Sequence, residues 1–138
     1  MGPLAEAPQS SLRGYLAFLR QDDRLLVVSR EVDPLFEIGA VIQALDFGTY
    51  PVLFESVKGY GHPVVAGTNG SRWRFAEMLG TDLSGVVPCV VSALDDPMPC
   101  RYVDSSEAPV KRRRAAVHVD IPSTFPVPTF HLGDDGPY

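Results

Sequence analysis

The sequence has no apolar run close to the roughly 20 residues that a membrane-spanning helix requires. Its opening stretch, MGPLAEAPQSS, lacks the basic and apolar regions of a secretory signal, and it predicts a flexible lead-in over residues 1–10. The net charge of -5 argues against a general nucleic-acid binder, because such proteins carry a basic face. These absences predict a cytoplasmic globular protein that binds neither membranes nor nucleic acids.

Cysteine is scarce, since the chain has only Cys89 and Cys100, and their spacing is not that of a CxxC pair. In a cytoplasmic protein such thiols are expected to be buried or chemically idle rather than bonded to each other or to a metal. The sequence also lacks a P-loop, an HExxH motif and a Ser/His/Asp catalytic order. Composition and motifs alone therefore indicate a globular α+β protein without defining its chemistry.

Residues 11–80 carry regular hydrophobic periodicity and predict a compact α/β unit. SLRGYLAFLR predicts a helix that is capped by Ser10 or Ser11. Runs rich in β-branched residues predict three strands, at LLVVSREV (25–32), VLFESV (52–57) and HPVVAG (62–67).

Two further helices are predicted in the same unit. VDPLFEIGAVIQAL has Asp33 in a capping position and Pro34 at the first helical position. Its apolar residues form a stripe that we expect to be buried: Leu35, Ile38, Val41, Ile42 and Leu45. Ser71 is expected to cap the other helix, which runs to Leu79 and stops at Gly80.

The character of the sequence changes after Gly80. Eight of the thirteen prolines fall between residues 88 and 138, so VVPCVVSAL and AAVHVD predict edge strands and extended loops. Strands with unpaired edges need to be covered. We therefore expect an α+β fold with a boundary near residue 80, in which residues 81–138 are Pro-rich strands that depend on more chain or on a partner.

Two loop segments are candidate anion sites. KRRR (111–114) can bind phosphate or nucleic acid, but in an acidic chain a solvated strand or a partner for acidic groups is favoured. GTNGSR (67–72) is typical of a helix start that cradles phosphate. It lacks both the GxGxxG pattern and the lysine of a P-loop, so the signal is weak.

The histidines and one acidic loop are the other candidates. His62, His118 and His131 have no spacing that is typical of a metal site. Asp134 and Asp135 in GDDGP can bind a cation or perform acid–base chemistry, although Asp and Gly are also ordinary turn residues. An unrelated ligand-binding domain that uses His131 and these acids is one open alternative.

Three ordered stretches resemble the N-terminal part of the UbiD family of (de)carboxylases. They are SLRGYLAFLRQDDRLLVVSREVDPLFEIGAV, PVLFESVKGYGHPVVAGTNGSR and APVKRRRAAVHVDIPSTFPVPTFHLGDDGPY. The last is similar to the family's D-L-x-x-LPIPTHHPGDGGPY, and it departs from that pattern at Phe130, Leu132 and Asp135. The middle of the chain, 81–108, matches poorly.

The resemblance implies a non-oxidative (de)carboxylase of aromatic, heteroaromatic or α,β-unsaturated acids that uses prenylated FMN, Mn²⁺ and K⁺. It also implies that residues 81–138 begin a split-barrel flavin-binding domain. In the family, the Asn/His/Glu metal ligands and a Glu-Arg-Glu catalytic network follow the last motif, so no catalytic or metal-binding residue is assigned here. The residues expected near the mouth of the flavin pocket, or at the entry to the barrel, are Pro128, Thr129, His131, Gly136 and Tyr138.

Two hypotheses follow from the resemblance. In the first, the chain is the N-terminal part of a UbiD-like enzyme, is inactive alone, and is encoded by a reading frame that continues past Tyr138. In the second, the chain is a complete non-catalytic small subunit or binding protein that docks onto a larger UbiD-like partner. A homo- or hetero-oligomer is expected in either case.

Overall fold

The computed structural model describes residues 11–45, 50–111 and 119–137, and it confirms the α+β class. The lead-in 1–10, most of AAVHVD and Tyr138 lie outside the described residues. The elements in chain order are α1 (Leu12–Gln21), β1 (Leu26–Val28), α2 (Glu37–Ala44), β2 (Val52–Phe54), β3 (Val64–Ala66), α3 (Arg72–Met78), α4 (Val86–Asp95), a 3₁₀ turn (Pro109–Lys111) and α5 (Ile121–Thr124).

The three strands form one sheet with β2 at its centre. β1 pairs with β2 in parallel, and β3 pairs with β2 in the antiparallel sense. The β1–β2 partnership continues beyond the regular strands through a parallel bridge between Val32 and Val57. The three predicted strands are thus confirmed in position, although each has only three regular residues.

Alternate side chains of β2 point to opposite faces of the sheet, and a helix covers each face. Val52 and Phe54 are buried with Ile38 of α2 in one core cluster. Tyr15 and Leu19 of α1 are fully buried in a second cluster, against which Leu53 and Met78 pack. The sheet is therefore enclosed between α1 on one side and α2 on the other.

The caps of α1 and α3 agree with the sequence. The Ser11 hydroxyl accepts a hydrogen bond from the Gly14 amide at 3.1 Å, and the Ser71 hydroxyl accepts one from the Arg74 amide at 3.3 Å. Gly80 follows α3 with φ +67°, a conformation that glycine adopts without a steric penalty. The start of α2 differs, since this helix begins at Glu37 rather than at Pro34.

The prediction of an edge strand at VVPCVVSAL is wrong, because this segment forms α4. Pro88 is the third residue of that helix, where a backbone N–H has no acceptor within the helix, so proline costs little there. Within the described parts of 81–138, strand pairing is limited to a bridge between Leu35 and Thr129. Lys111 ends a 3₁₀ turn rather than lying on a strand, and the rest of KRRR lies outside the described residues.

No helix in the described part of the chain is long and apolar enough to cross a membrane.

Candidate functional site

The three sequence motifs meet at the start of α2. EVDP (31–34) and FESVKGY (54–60) are joined by backbone hydrogen bonds, from the Val32 amide to the Ser56 carbonyl at 3.1 Å and from the Lys58 amide to the Val32 carbonyl at 3.0 Å. The third motif, 128–136, packs against the other side of the same turn. We call residues 32–39, 56–60 and 128–136 the motif junction.

Asp33 organises the polar side of the motif junction. Its Oδ2 accepts a hydrogen bond from Lys58 Nζ at 2.9 Å, and its Oδ1 accepts one from the Leu35 amide at 2.9 Å. Glu37, which also pairs with Arg30, accepts from the Asp33 amide at 2.8 Å. Lys58 and then the Leu35 amide lower the pKa of the Asp33 carboxyl, and Asp33 raises the pKa of Lys58.

Phe36 holds a strained backbone conformation immediately before α2. Its φ is +69° and its ψ is -30°, while the Glu37 amide donates to the Leu35 carbonyl at 2.9 Å. These values describe a γ-turn with positive φ, which is rare and costs about 1–3 kcal/mol for a residue with a bulky side chain. The surrounding contacts must therefore hold Phe36 in place.

Thr129 supplies that restraint from a distant part of the chain. The Phe36 amide donates to the Thr129 carbonyl at 2.9 Å, and the Thr129 amide donates to the Pro34 carbonyl at 3.1 Å. Thr129 is almost completely buried. These strand-like bonds replace the first predicted turn of α2, so the assignment of Asp33 as cap and Pro34 as first helical residue is wrong. Leu35, predicted to be buried, is 54% exposed for the same reason.

Gly39 lets the third motif approach the helix closely. A Cβ atom at this position would lie 2.9 Å from Cδ1 and 3.3 Å from Cα of Phe130. Both distances are too short for an ordinary carbon contact. Glycine inside a helix costs about 1 kcal/mol relative to alanine. In return, the absence of a side chain at Gly39 allows the backbone of Phe130 to pack directly on α2.

The loop after Phe130 is closed by Asp134. Its Oδ2 accepts hydrogen bonds from the His131 amide at 2.7 Å and the Phe130 amide at 3.1 Å. This geometry supports the turn interpretation of GDDGP. Asp135 does not have a positive φ, whereas Gly136 has φ +150°.

Two contacts hold the preceding segment along the same surface. The Tyr60 hydroxyl donates to the Pro122 carbonyl at 2.5 Å. The rings of His62 and Phe125 stack with centroids 5.5 Å apart. Tyr60 belongs to the FESVKGY motif, so residues of the second motif position the approach to the third.

An open cleft of about 350 Å³ lies beside the motif junction. It is lined by Phe36, Ala40, Gln43, Phe130, His131 and Leu132. No lysine or arginine that could pair with a flavin phosphate is among these residues. The described residues also hold no group of three or more His, Cys, Asp or Glu side chains that could bind a metal ion. The described residues therefore do not fit a complete prenylated-FMN and Mn²⁺ site, and we derive no chemical step through the flavin or the metal ion.

A larger shallow cleft of about 790 Å³ lies away from the motif junction and is lined by Arg24, by α3 and by the loops on either side of α3. Two of its lining residues pair, since Arg24 contacts Glu77 at 2.5 Å, and the hydroxyl of Tyr15 in α1 also donates to Glu77 at 3.3 Å. Burial raises the pKa of Tyr15, and the hydrogen bond to Glu77 raises the pKa of Arg24. These contacts join α1 to α3, so we assign Arg24, Tyr15 and Glu77 a structural role.

The structure brings some of the predicted site residues together. Thr129, His131 and Gly136 lie in the motif junction with the half-buried Pro128, whereas Tyr138 lies outside the described residues. His131 is exposed and its backbone is used in the Asp134 turn. His62 is on the neighbouring loop, and His118 is outside the described residues.

Sequence reasoning missed the roles of Phe36 and Gly39. For Gly39 a signal exists, because a glycine within an apolar helical pattern often marks a close backbone approach. For Phe36 the local sequence offers no signal, since its conformation depends on Thr129. The Asn69–Ser71 turn and α3 line a separate cleft of about 310 Å³, so GTNGSR does not contribute to the motif junction.

Comparison with known proteins identifies the family to which this chain belongs. The sequence model of the 3-octaprenyl-4-hydroxybenzoate carboxy-lyase N-terminal domain matches residues 16–94. The fold is similar to part of HmfF, a UbiD-class enzyme from Pelotomaculum thermopropionicum whose evolved dimeric form was solved in complex with prFMN. That match has 42% identity and a TM-score of 0.82, and it covers 92% of this chain and 29% of HmfF.

Two curated relatives are similar over most of the chain. A phenolic acid decarboxylase from Sedimentibacter hydroxybenzoicus is 30% identical, covering 92% of this chain and 28% of the relative. Ferulic acid decarboxylase 1 from Saccharomyces cerevisiae is 26% identical, covering 95% and 29% respectively.

The fold and the family-model match thus define a domain of the UbiD N-terminal type. The chain belongs to the UbiD family, and it spans less than a third of the length of the relatives it matches.

Strain at Phe36 can be measured by comparing two substitutions. Phe36→Gly and Phe36→Ala remove the same ring, but only glycine adopts a φ near +69° without a steric penalty. We expect the glycine variant to be more stable by about 1 kcal/mol in urea unfolding. At Ala40, inside α2, Ala40→Gly should instead cost about 1 kcal/mol. Equal or greater stability of Phe36→Ala would contradict the strained turn.

The close approach at Gly39 gives a second prediction. Alanine in a helix normally stabilises by about 1 kcal/mol relative to glycine. Gly39→Ala is expected to give no such gain, and to speed hydrogen exchange at the Thr129 amide, because the new methyl group displaces Phe130. Adding Phe130→Ala, which removes the Cδ1 atom that a Cβ at position 39 would meet, should recover part of the protection. A stabilised Gly39→Ala protein with unchanged Thr129 exchange refutes the contact.

Asp33 should give the motif junction a pH dependence. Its folded pKa is lowered, so its contribution is complete above the ordinary value of 3.8 and is lost as the pH falls below it. Asp33→Asn is expected to reduce the fall in the free energy of unfolding between about pH 5 and about pH 3. Asp135→Asn, which removes one exposed carboxylate from the terminal loop, serves as the control. The prediction fails if both variants retain the full wild-type pH dependence.

Proposed function

We propose that this chain acts as the N-terminal domain of a UbiD-like decarboxylase of aromatic, heteroaromatic or α,β-unsaturated carboxylic acids. The observation that carries the proposal is the fold shared with HmfF over 92% of the chain at 42% identity. The names of the phenolic and ferulic acid decarboxylases favour an aromatic acid as substrate. In this role residues 11–80 form the N-terminal α/β domain, and residues 81–138 form the incomplete start of a split-barrel flavin domain.

The proposed task of the motif junction is to position the third motif. Thr129 is fixed by two backbone hydrogen bonds, and Phe130 rests on Gly39. In the proposed enzyme this anchoring would direct His131 and Gly136 toward the mouth of the flavin pocket, for which Tyr138 is a further candidate from the sequence. The side chains at the junction act as positioning groups, and the chemistry belongs to residues that follow them.

The cofactors of the proposed enzyme are prenylated FMN, Mn²⁺ and K⁺. Support for the flavin comes from HmfF, which was solved in complex with prFMN and, separately, with FMN. Mn²⁺ and K⁺ are proposed from the family resemblance alone. Since the described residues do not form a complete cofactor site, residues 1–138 alone are proposed to be inactive. The free thiols of Cys89 and Cys100 agree with a cytoplasmic enzyme.

The alternative is a complete non-catalytic small subunit or binding protein that docks onto a larger UbiD-like chain. Both forms of the proposal predict that the assembled UbiD-like enzyme is an oligomer, homomeric or heteromeric. They differ in whether the domain works in the same polypeptide as the flavin site.

Cofactor retention tests the proposed function. Purified residues 1–138, incubated with prenylated FMN and Mn²⁺, are expected to lose the flavin absorbance on desalting. A chimera in which this chain replaces the matched 29% of HmfF is expected to retain the flavin and to decarboxylate the substrate of HmfF. Retention by the isolated chain would contradict the incomplete site. A folded chimera that neither holds flavin nor decarboxylates would contradict the domain assignment.

A further inference from the structure

The apolar side of α4 faces solvent. Val87, Val90, Val91 and Leu94 follow the i, i+3, i+4, i+7 spacing that places side chains on one face of a helix. Their exposed fractions are 67%, 40%, 49% and 75%, so the face that is usually buried in a globular protein is open here. We call these four residues the α4 stripe.

The rest of α4 explains why the helix cannot simply turn its apolar side inward. Val86 and Cys89, on an adjacent side, are already half-buried toward the protein. Ser92 and Asp95 occupy the remaining side. No residue of α4 is fully buried. A ten-residue helix is marginal in water without packing, and α4 packs on the domain through half-buried rather than buried residues, so an occupant of the α4 stripe would stabilise it.

A lipid surface does not suit the α4 stripe. Helices that bind membranes carry lysine or arginine beside their apolar face. α4 contains neither, and its C-terminal end carries Asp95 and Asp96, which anionic lipids would repel. The occupant is therefore expected to be protein.

The size of the α4 stripe argues against a second copy of the chain. Four partly exposed side chains present on the order of a few hundred Å² of apolar surface, whereas each partner in a stable dimer buries about 800 Å². A covalently linked segment loses much less translational and rotational freedom on docking than a separate molecule does, so a small apolar patch is enough to hold it.

We propose that the α4 stripe is the docking surface for the polypeptide that follows this domain in a full-length UbiD-like chain. This inference rests on the proposed function. It is supported by the relatives, in which the same fold makes up 29% of a much longer chain. Docking through the stripe fixes α4 against that following polypeptide.

The isolated chain provides the first arm of the test. Light scattering is expected to show a monomer, and α4 amides are expected to exchange hydrogen within about tenfold of unprotected rates while β2 remains protected. Val87→Lys/Leu94→Lys should leave the thermal midpoint unchanged within about 2 °C, because both side chains are exposed. A dimer that this double variant abolishes, or strong protection of α4 in the monomer, would overturn the proposal.

The HmfF chimera provides the second arm. There Val87→Lys/Leu94→Lys is expected to lower the thermal midpoint by at least about 5 °C, because two charges would enter an apolar contact. The control, Leu12→Lys/Tyr50→Lys, changes two half-exposed apolar residues away from α4 and is expected to shift it by less than about 2 °C. Equal shifts for the two double variants would overturn the proposal.

The outcomes separate this inference from the proposed function. A chimera that holds flavin but tolerates lysine in the α4 stripe retains the function and loses the docking surface. A chimera that is destabilised by those lysines yet binds no flavin supports the docking surface and contradicts the proposed function. If the chimera does not fold, strong α4 protection in the isolated monomer still refutes the proposal, and weak α4 protection supports it.

Discussion

The pairing of Thr129 with the turn before α2 is the interaction on which the motif junction depends. Its two backbone hydrogen bonds take the place of a first helical turn, and they hold Phe36 at a positive φ. The absence of a side chain at Gly39 then allows Phe130 to lie on the helix. The helix does not begin at Pro34 because Thr129, far away in the sequence, forms hydrogen bonds with the Phe36 amide and the Pro34 carbonyl.

The local parts of the fold were predictable from sequence for identifiable reasons. Ser11 and Ser71 cap their helices with their own side chains, and the β-branched runs coincide with β1, β2 and β3. α4 was not predictable in the same way. Its β-branched residues and Pro88 suggested a strand, but a proline in the first turn is compatible with a helix.

The candidate site was also predictable only in part. The resemblance of EVDP, FESVKGY and PTFHLGDDGPY to one family pointed to the correct protein class, and the family match bears it out. The contacts among these motifs were not readable, because the Asp33–Lys58 ion pair and the Phe36–Thr129 bond join residues far apart in sequence. Hydrophobic periodicity and turn chemistry describe only neighbours along the chain.

The distance in sequence between Phe36 and Thr129 has a consequence for biosynthesis. A ribosome releases α1, the sheet and α2 well before it has made the segment that restrains Phe36. Until then the residues before α2 are free to take an ordinary helical conformation, and closing so long a loop carries an entropic cost. The nascent domain should therefore finish in two stages, with the start of α2 remodelled only when the third motif emerges.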